Sequence, residues 1–409
     1  MNPLVQELFL AFRNVVRQRR RSSIAVAAVA FGITTLLLAG GFIEWNLMGM
    51  RETTIGSRLG HIQVARPGYF QIGQSEPFAY LLPQNSADRE AIEKLPGVRL
   101  SGARMSFGGL ISHGESTLSF IGEGVEPEKE ATLSSTLLIA RGSGLSGAEP
   151  KGIIMGLGLA ANLGVDVGDR VVLLANTRAG GINAVECTVL GLFSTVSKAY
   201  DDSALQMPIA TARELLRVSG SHVWVLLLEK TEDTQAVLAS LRSSLADRSL
   251  EFVPWSDLAD FYNKTVVLFR KQVGVIEVII GMIIVLSIAN TLMMNVVERT
   301  GEIGTAMAVG VKRAKIMRLF LLEGLLLGIV GGALGLVLGS IAAAIISMIG
   351  IPMPPPPGMA RGYTAEILVN ASLLLNAALL AAGTTLLASL YPAWKASRMI
   401  IVDALRFNR

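Results

Sequence analysis

The sequence predicts an α-helical membrane protein with four transmembrane helices and a large α+β domain of two lobes inserted between the first and second helices. Three observations carry this. Mean hydropathy is +0.52, with 51% hydrophobic and only 17% charged residues, too apolar for an ordinary soluble chain of 409 residues. Four apolar stretches are each long enough for a bilayer core of about 30 Å, which takes roughly 20 helical residues. Between the first and second of them, strand and helix patterns alternate over some two hundred residues.

Residues 1–21 form a basic amphipathic start, with Arg13, Arg17, Arg19, Arg20 and Arg21 set against Glu7. The first span, 22–43, has its apolar run from Ser22 to Phe42. That run exceeds the 7–15 residues of a signal-peptide core, and Glu44-Trp45 follow without a small-residue cleavage motif, so it reads as an uncleaved anchor. The second span with its stalk covers 269–297 (apolar from Val273 to Val297), the third 319–349 (Leu319 to Ile349) and the fourth 371–392 (Leu373 to Leu390). Residues 298–318 link the second and third spans and carry Arg299, Lys312, Arg313, Lys315 and Arg318. The tail, 393–409, adds Lys395, Arg398, Arg406 and Arg409. Residues 44–268 instead hold 19 basic and 25 acidic residues, and the loop 350–370 holds only Arg361 and Glu366 within its Pro352–Val369 portion. The excess of basic residues on cytoplasmic segments then places both termini and the 298–318 segment inside, and the insertion outside. The net charge of +4 thus reflects membrane flanks and predicts no nucleic-acid surface.

In the insertion, His61–Ala65 reads as a strand and Asn85 or Ser86 caps a helix stopped by Pro96-Gly97. Arg104–Leu110 and Ser116–Ile121 form a hairpin about His113-Gly114. Leu157–Leu163 is a helix ended by Gly164, and strands at Arg170–Ala175 and Ala184–Leu190 join across Ala179-Gly180-Gly181. Met207–Val218 passes from strand to helix, Val223–Leu228 is a strand, Asp233 caps a helix to Leu245, and Leu250–Val253 is a further strand. A helix from Ser256 is expected to run unbroken through Arg270-Lys271 into the second span. One lobe comprises 45–134 and 221–260, and the inserted lobe is 135–220.

Catalytic chemistry has little to work with. The chain has one cysteine, Cys187, and three histidines, and it lacks G-x-x-x-x-G-K-[ST], H-E-x-x-H and G-x-S-x-G. No disulfide framework, multi-cysteine metal site or enzyme activity of its own is expected, and His61, His113 and His222 read as structural or surface residues. Glu277 and Glu323 lie in apolar spans, where charge is costly; near the span ends, anchoring or coupling is their expected role. Gly324-Gly328-Gly332 and Gly331-Gly335-Gly339 give the third span two small-residue rows for close helix packing. Pro352–Pro357 reads as a stiff outer turn. In Asn295–Gly324, a short helix is expected whose Ile303, Met307 and Val309 are of buried type, flanked by Glu298, Arg299 and Glu302 and by Lys312, Arg313 and Lys315.

ERTGEIGTAMAVGVKRAKIMRLFLLEG resembles the E-R-x-x-E-I-G-x-x-x-A-x-G-x-x-x-x-x-I coupling segment of the FtsX-like permeases of ABC transporters, the group that includes MacB, LolC and LolE. LFLAFRNVVRQRRRSSIAVAAVAFGI resembles that family's amphipathic start, and YPAWKASRMIIVDALR its ending, with Val402 where proline is usual. The resemblance implies a permease whose two copies, identical or related, bind a cytoplasmic ABC ATPase dimer. ATP and magnesium would sit on that ATPase, with no cofactor on this chain. Glu298, Arg299, Glu302, Ile303 and Gly304 would meet the ATPase. LGHIQVARPGYF and GIIMGLGLAANLGVDVGDRVVLL are similar to the lipoprotein-releasing branch, which implies lipoprotein or other amphiphilic cargo drawn from the inner membrane into the periplasm. The hairpin Asn176–Glu186 lacks the proline and bulky apolar residues expected where a lipoprotein-carrying chaperone docks. A MacB-like exporter working with a membrane-fusion protein, or an FtsX-like signal coupler to cell-wall hydrolases, are the alternatives. An acyl chain entering between the first two spans would meet Phe42, Trp45, Leu47 and Met48 on one side and Phe269, Val273, Ile276 and Ile280 on the other.

Overall fold

A computed structural model describes residues 3–73, 76–134, 137–195, 198–245, 249–354 and 363–406. The chain divides into two compact units, one built from 1–48, 265–353 and 364–409 and the other from 49–264 and 354–363.

The first unit is helical. Its helices among the described residues are α1 (Pro3–Arg17), α2 (Arg19–Thr54), α3 (Asp260–Glu298), α4 (Thr300–Ala308), α5 (Arg313–Ile349), α6 (Ala371–Ser397) and α7 (Ile401–Arg406), with α2 and α3 extending at one end into the second unit's residues. Four of them, α2, α3, α5 and α6, are long and apolar enough to cross a membrane. They share a core of Ile33, Leu36 and Leu37 from α2, Ile284, Ile288 and Leu292 from α3, Leu327 from α5, and Ala377, Ala381 and Ala388 from α6. Their outward residues, such as Phe31, Met282 and Ile341, are exposed, as a lipid-facing surface requires. The two glycine rows of α5 serve different neighbours. A Cβ at Gly331, Gly335 or Gly339 would press on Val29, Ile33 or Leu37 of α2, at 2.7 to 2.8 Å; one at Gly324, Gly328 or Gly332 would meet Ser389, Thr385 or Ala381 of α6.

Among the described residues the main sheet of the second unit has ten strands: β1 (Ile62–Ala65), β2 (Val98–His113), β3 (Ser116–Val125), β4 (Leu138–Gly142), β5 (Gly152–Gly156), β6 (Arg170–Asn176), β7 (Ile182–Ser194), β8 (Ala204–Pro208), β9 (Val223–Leu228) and β10 (Glu251–Pro254). They form one mixed sheet in the order β10-β1-β9-β2-β3-β8-β5-β7-β4, with β6 pairing β2 and β7. The strand VWVLLL of β9 is buried at every position, because neighbours flank both edges and layers cover both faces. Strands from 45–134 and 221–260 occupy one end of the order and those from 135–220 the other. They share one core, so the boundary between the expected lobes is no break in the hydrogen-bonded ladder.

Several local signals are realised. Ser86 accepts from Asp88 N–H and caps Ala87–Glu93, and Gly164, at φ +72°, ends Leu157–Leu163. Three expectations need correction. The helix begun at Trp255 stops at Leu258, where Ala259 (φ −90°, ψ 59°) leaves helical geometry, and α3 starts afresh at Asp260. Both hairpin strands run past their expected ends, the first to Val98–His113 and the second to Ser116–Val125, because polar and glycine residues carry the β2–β3 ladder from Arg104–Val125 to His113–Ser116. Asp233 precedes its helix but makes no capping hydrogen bond. Pro355–Pro357, Arg361 and Arg409 lie outside the described residues.

Candidate functional site

The segment between α3 and α5 is a short helix set on a core of its own. Ile303 and Met307 point inward and join Val296, Ile316, Phe320, Ala393 and Ala396, with Ile401 of α7 packed against them. Gly304 lets α4 close on α7, for a Cβ there would stand 2.7 Å from Ala404 Cβ. Glu302, Thr305 and Ala308 face outward. Val309, expected to be buried with Ile303 and Met307, is instead 83% exposed, because α4 ends at Ala308 and Gly310, at φ +101°, turns the chain.

Ion pairs within the unit hold Glu298, Arg299 and Glu302. Arg299 Nη1 lies 2.9 Å from Glu323 Oε1, and Asn14 Nδ2 donates to the same oxygen at 2.6 Å. The Glu323 carboxylate is almost fully buried, so these two donors compensate a charge otherwise too costly at that depth. The Arg299 guanidinium also lies over the Phe320 ring, 5.7 Å from its centroid, and its Nε is 3.3 Å from Glu302 Oε2. Arg17 reaches Glu302 at 3.1 Å and Arg21 reaches Glu298 at 2.5 Å. Exposed pairs of this kind are each worth up to about 1 kcal/mol, but together they tie α1 to α4 and the start of α2 to the end of α3. Glu7, also buried, approaches Arg318 at 3.7 Å.

Of the five residues placed at a coupling surface, Glu298 and Glu302 are exposed and paired, Arg299 is largely enclosed, and Ile303 and Gly304 are buried. The partners Asn14, Arg17 and Arg21 escaped sequence reasoning, since pairs nearly three hundred positions apart leave no local signal. Among the eight residues of the proposed acyl pocket, Ile280 is buried in the helical core with Ile276 packed against it, and Met48 is exposed. Neither of the two described cavities is lined by any of the eight. Glu277 is half-buried on α3.

Two of the histidines make contacts within the β-rich unit. His61 Nδ1 accepts from Leu228 N–H and its Nε2 is 3.0 Å from Thr231 Oγ1; His113 Nδ1 is 2.9 Å from the Arg170 carbonyl. Among the described residues no cluster of three or more His, Cys, Asp or Glu could hold a metal ion.

The model of the FtsX-like permease C-terminal domain matches residues 274–401, and that of the MacB-like periplasmic core domain matches residues 22–244, more than half of the chain. The chain belongs to the FtsX/MacB-like permeases. Relatives within this group include LolC of the lipoprotein-releasing system of Neisseria meningitidis, 25% identical over 273 residues, which cover 63% of this chain and 65% of that one. LolC of Xylella fastidiosa is 25% identical over 304 residues, 70% of this permease and 72% of the relative. The macrolide export ATP-binding/permease protein MacB of Shigella sonnei is 35% identical over 143 residues, 35% of this permease and 20% of that protein. The permease therefore spans just under two thirds of the first relative and a fifth of the last. The crystal structure of the periplasmic region of MacB from Actinobacillus actinomycetemcomitans aligns with a TM-score of 0.37 at 12% identity, covering 52% of this chain and 94% of that one.

Proposed function

We propose that this chain is the permease subunit of an ABC transporter of the bacterial inner membrane. A separate cytoplasmic ATPase dimer would drive it to extract lipoproteins or similar amphiphiles toward the periplasm. The observation that carries the reading is the anchoring of α4. This helix shares a core with α5, α6 and α7 and is joined through Arg299–Glu323 and Arg17–Glu302 to α5 and α1. Displacement of α4 by an ATPase is thereby passed to several helices at once, and α3 continues from Asp260 to Glu298 without a break. No conduit through the bilayer is required, because the work is mechanical. Under this reading the ATPase meets the outward face of α4, Glu302, Thr305 and Ala308, and Val309 beyond it. Ile303 and Gly304 transmit the load inward. Phe42, Trp45, Leu47 and Met48 on one side and Phe269, Val273, Ile276 and Ile280 on the other would receive acyl chains.

A second reading, export with a membrane-fusion protein, is favoured by the higher identity to MacB over its shorter match. Mass spectrometry of everything co-purifying with the tagged chain from its native membrane, with ATP turnover blocked, separates the two. An ATPase with acylated proteins supports lipoprotein release. The same ATPase with a membrane-fusion protein and no lipoprotein supports export. Absence of any ATPase contradicts both.

A further inference from the structure

Helix α1 has three distinct faces. At about 3.6 residues per turn, Glu7, Ala11 and Asn14 share one side, and this side packs against α5: Glu7 approaches Arg318 at 3.7 Å, Asn14 donates to Glu323, and Ala11 is fully buried. Val5, Phe9, Phe12 and Val16 share another and are all exposed, Phe9 at 62% and Phe12 at 54%. Gln6, Arg13 and Arg17 form a polar strip between the two. The usual pattern is inverted, because a carboxylate and an amide face the protein while large apolar side chains face away from it. An outward apolar stripe beside a basic strip is the pattern of a helix lying in the plane of a bilayer surface. The arginines here fall into two sets. Arg17 pairs with Glu302 and Arg21 with Glu298, whereas among the described residues Arg13, Arg19 and Arg20 are exposed and have no ion-pair partner. Arg20 stands at the end of a helical row of exposed residues on α2, Ile24, Ala27 and Phe31, that belongs to the lipid-facing surface of the first span.

We propose that α1 and the first turn of α2 form a binding site for anionic phospholipid headgroups of the bilayer, with phosphates held by Arg13, Arg19 and Arg20 and the Val5–Val16 stripe set among the adjoining acyl segments. A guanidinium fork matches phosphate oxygens in a bidentate contact. A protein covering this face would have to be apolar and acidic at once. The bilayer already surrounding Ile24 and Phe31 supplies both, acyl chains against the stripe and phosphates against the arginines. The same segment thereby holds lipid on one side and, through Arg17 and Arg21, α4 and the end of α3 on the other. The inference goes beyond the transport reading and depends on neither its cargo nor its ATPase, since it concerns only the helical unit.

The test exposes the full chain to equal amounts of phosphatidylglycerol and phosphatidylcholine and compares the first bound lipid by native mass spectrometry. Phosphatidylglycerol should be preferred by about fivefold or more, the effect expected of even one basic residue at an anionic surface. Arg13→Gln/Arg19→Gln/Arg20→Gln should remove most of that preference, whereas Lys312→Gln/Arg313→Gln/Lys315→Gln, at the basic start of α5, should keep it. All six positions are exposed, and melting curves check that both variants fold. In bilayer nanodiscs, a nitroxide at Phe9→Cys should collide more with oxygen than with a water-soluble nickel chelate, and one at Gln6→Cys the reverse; Cys187 is 1% exposed and escapes the label. Equal binding of the two lipids, or equal loss of preference in both triple variants, overturns the proposal. So does a label at position 9 that meets the nickel chelate more than oxygen, or that is shielded from both as under a protein partner.

Discussion

Arg299 on the link into α4 meets Glu323 on α5 at 2.9 Å, in a place where Glu323 is nearly sealed from solvent and Asn14 of α1 completes its coordination. Three segments distant in sequence are pinned at one carboxylate. Glu323→Gln leaves the largely enclosed guanidinium with only Glu302, and removing one partner of such a pair costs up to about 3 kcal/mol. Arg299→Met/Glu323→Met removes both charges together. Thermal unfolding in detergent should place the double variant above either single variant; a double variant that melts lowest would show that the pair itself stabilises the fold.

The close contact of α5 with α2 depends on the glycine row. A methyl group at Gly335 would stand 2.7 Å from the Ala30 carbonyl oxygen, whereas one at Gly383 on α6 meets nothing within 4 Å. Gly335→Ala should destabilise the chain by about 1–3 kcal/mol through overpacking, and Gly383→Ala should be neutral or slightly stabilising. Paired melting curves read the difference, and equal curves would refute the assignment of that row to α2.

The spans and the α4 segment were legible in sequence because hydropathy and helical periodicity are local properties. Leu157–Leu163 was legible for the same reason: Gly164 supplies the left-handed stop that the chain needs there. What stayed hidden is non-local. The ion pairs of Arg17 and Arg21 depend on how α1 meets α4 and how α2 meets the end of α3, and the partner exchange along β2 depends on strands from widely separated parts of the chain. Val309 misled because apolar character was equated with burial just where the helix ends.

Burial holds the His222 imidazole neutral and lowers its pKa from 6.5 to about 4. Above pH 6.5 neither folded nor unfolded chain is protonated there. As pH falls from 6.5 toward 4, the unfolded chain takes up a proton that the folded chain refuses, so stability declines by up to about 3 kcal/mol. His61, also lowered by burial, acts in the same direction. Denaturant unfolding at about pH 7.5 and about pH 5 should show this loss, and His222→Gln, which keeps an acceptor for Ser106 N–H, should reduce it. An unchanged pH dependence in that variant would place the titration elsewhere.

The single cysteine reports on the β-rich unit. Cys187 is 1% exposed and burial pushes its thiol up to about 12, so the reactive thiolate is scarce at neutral pH. Maleimide labelling of the native chain should be negligible over a time that fully labels the denatured chain. Rapid native labelling would mean that β7 opens.

Transfer of force through α4 is the central claim, and its most direct test is a photo-crosslinking amino acid placed at Val309, with Ile303 as the buried control. In membranes holding the complete transporter, position 309 should crosslink to a cytoplasmic ATPase subunit, and Glu302→Lys should abolish permease-stimulated ATP hydrolysis. Crosslinks from 309 to lipid alone, together with normal stimulated turnover in Glu302→Lys, would contradict the account.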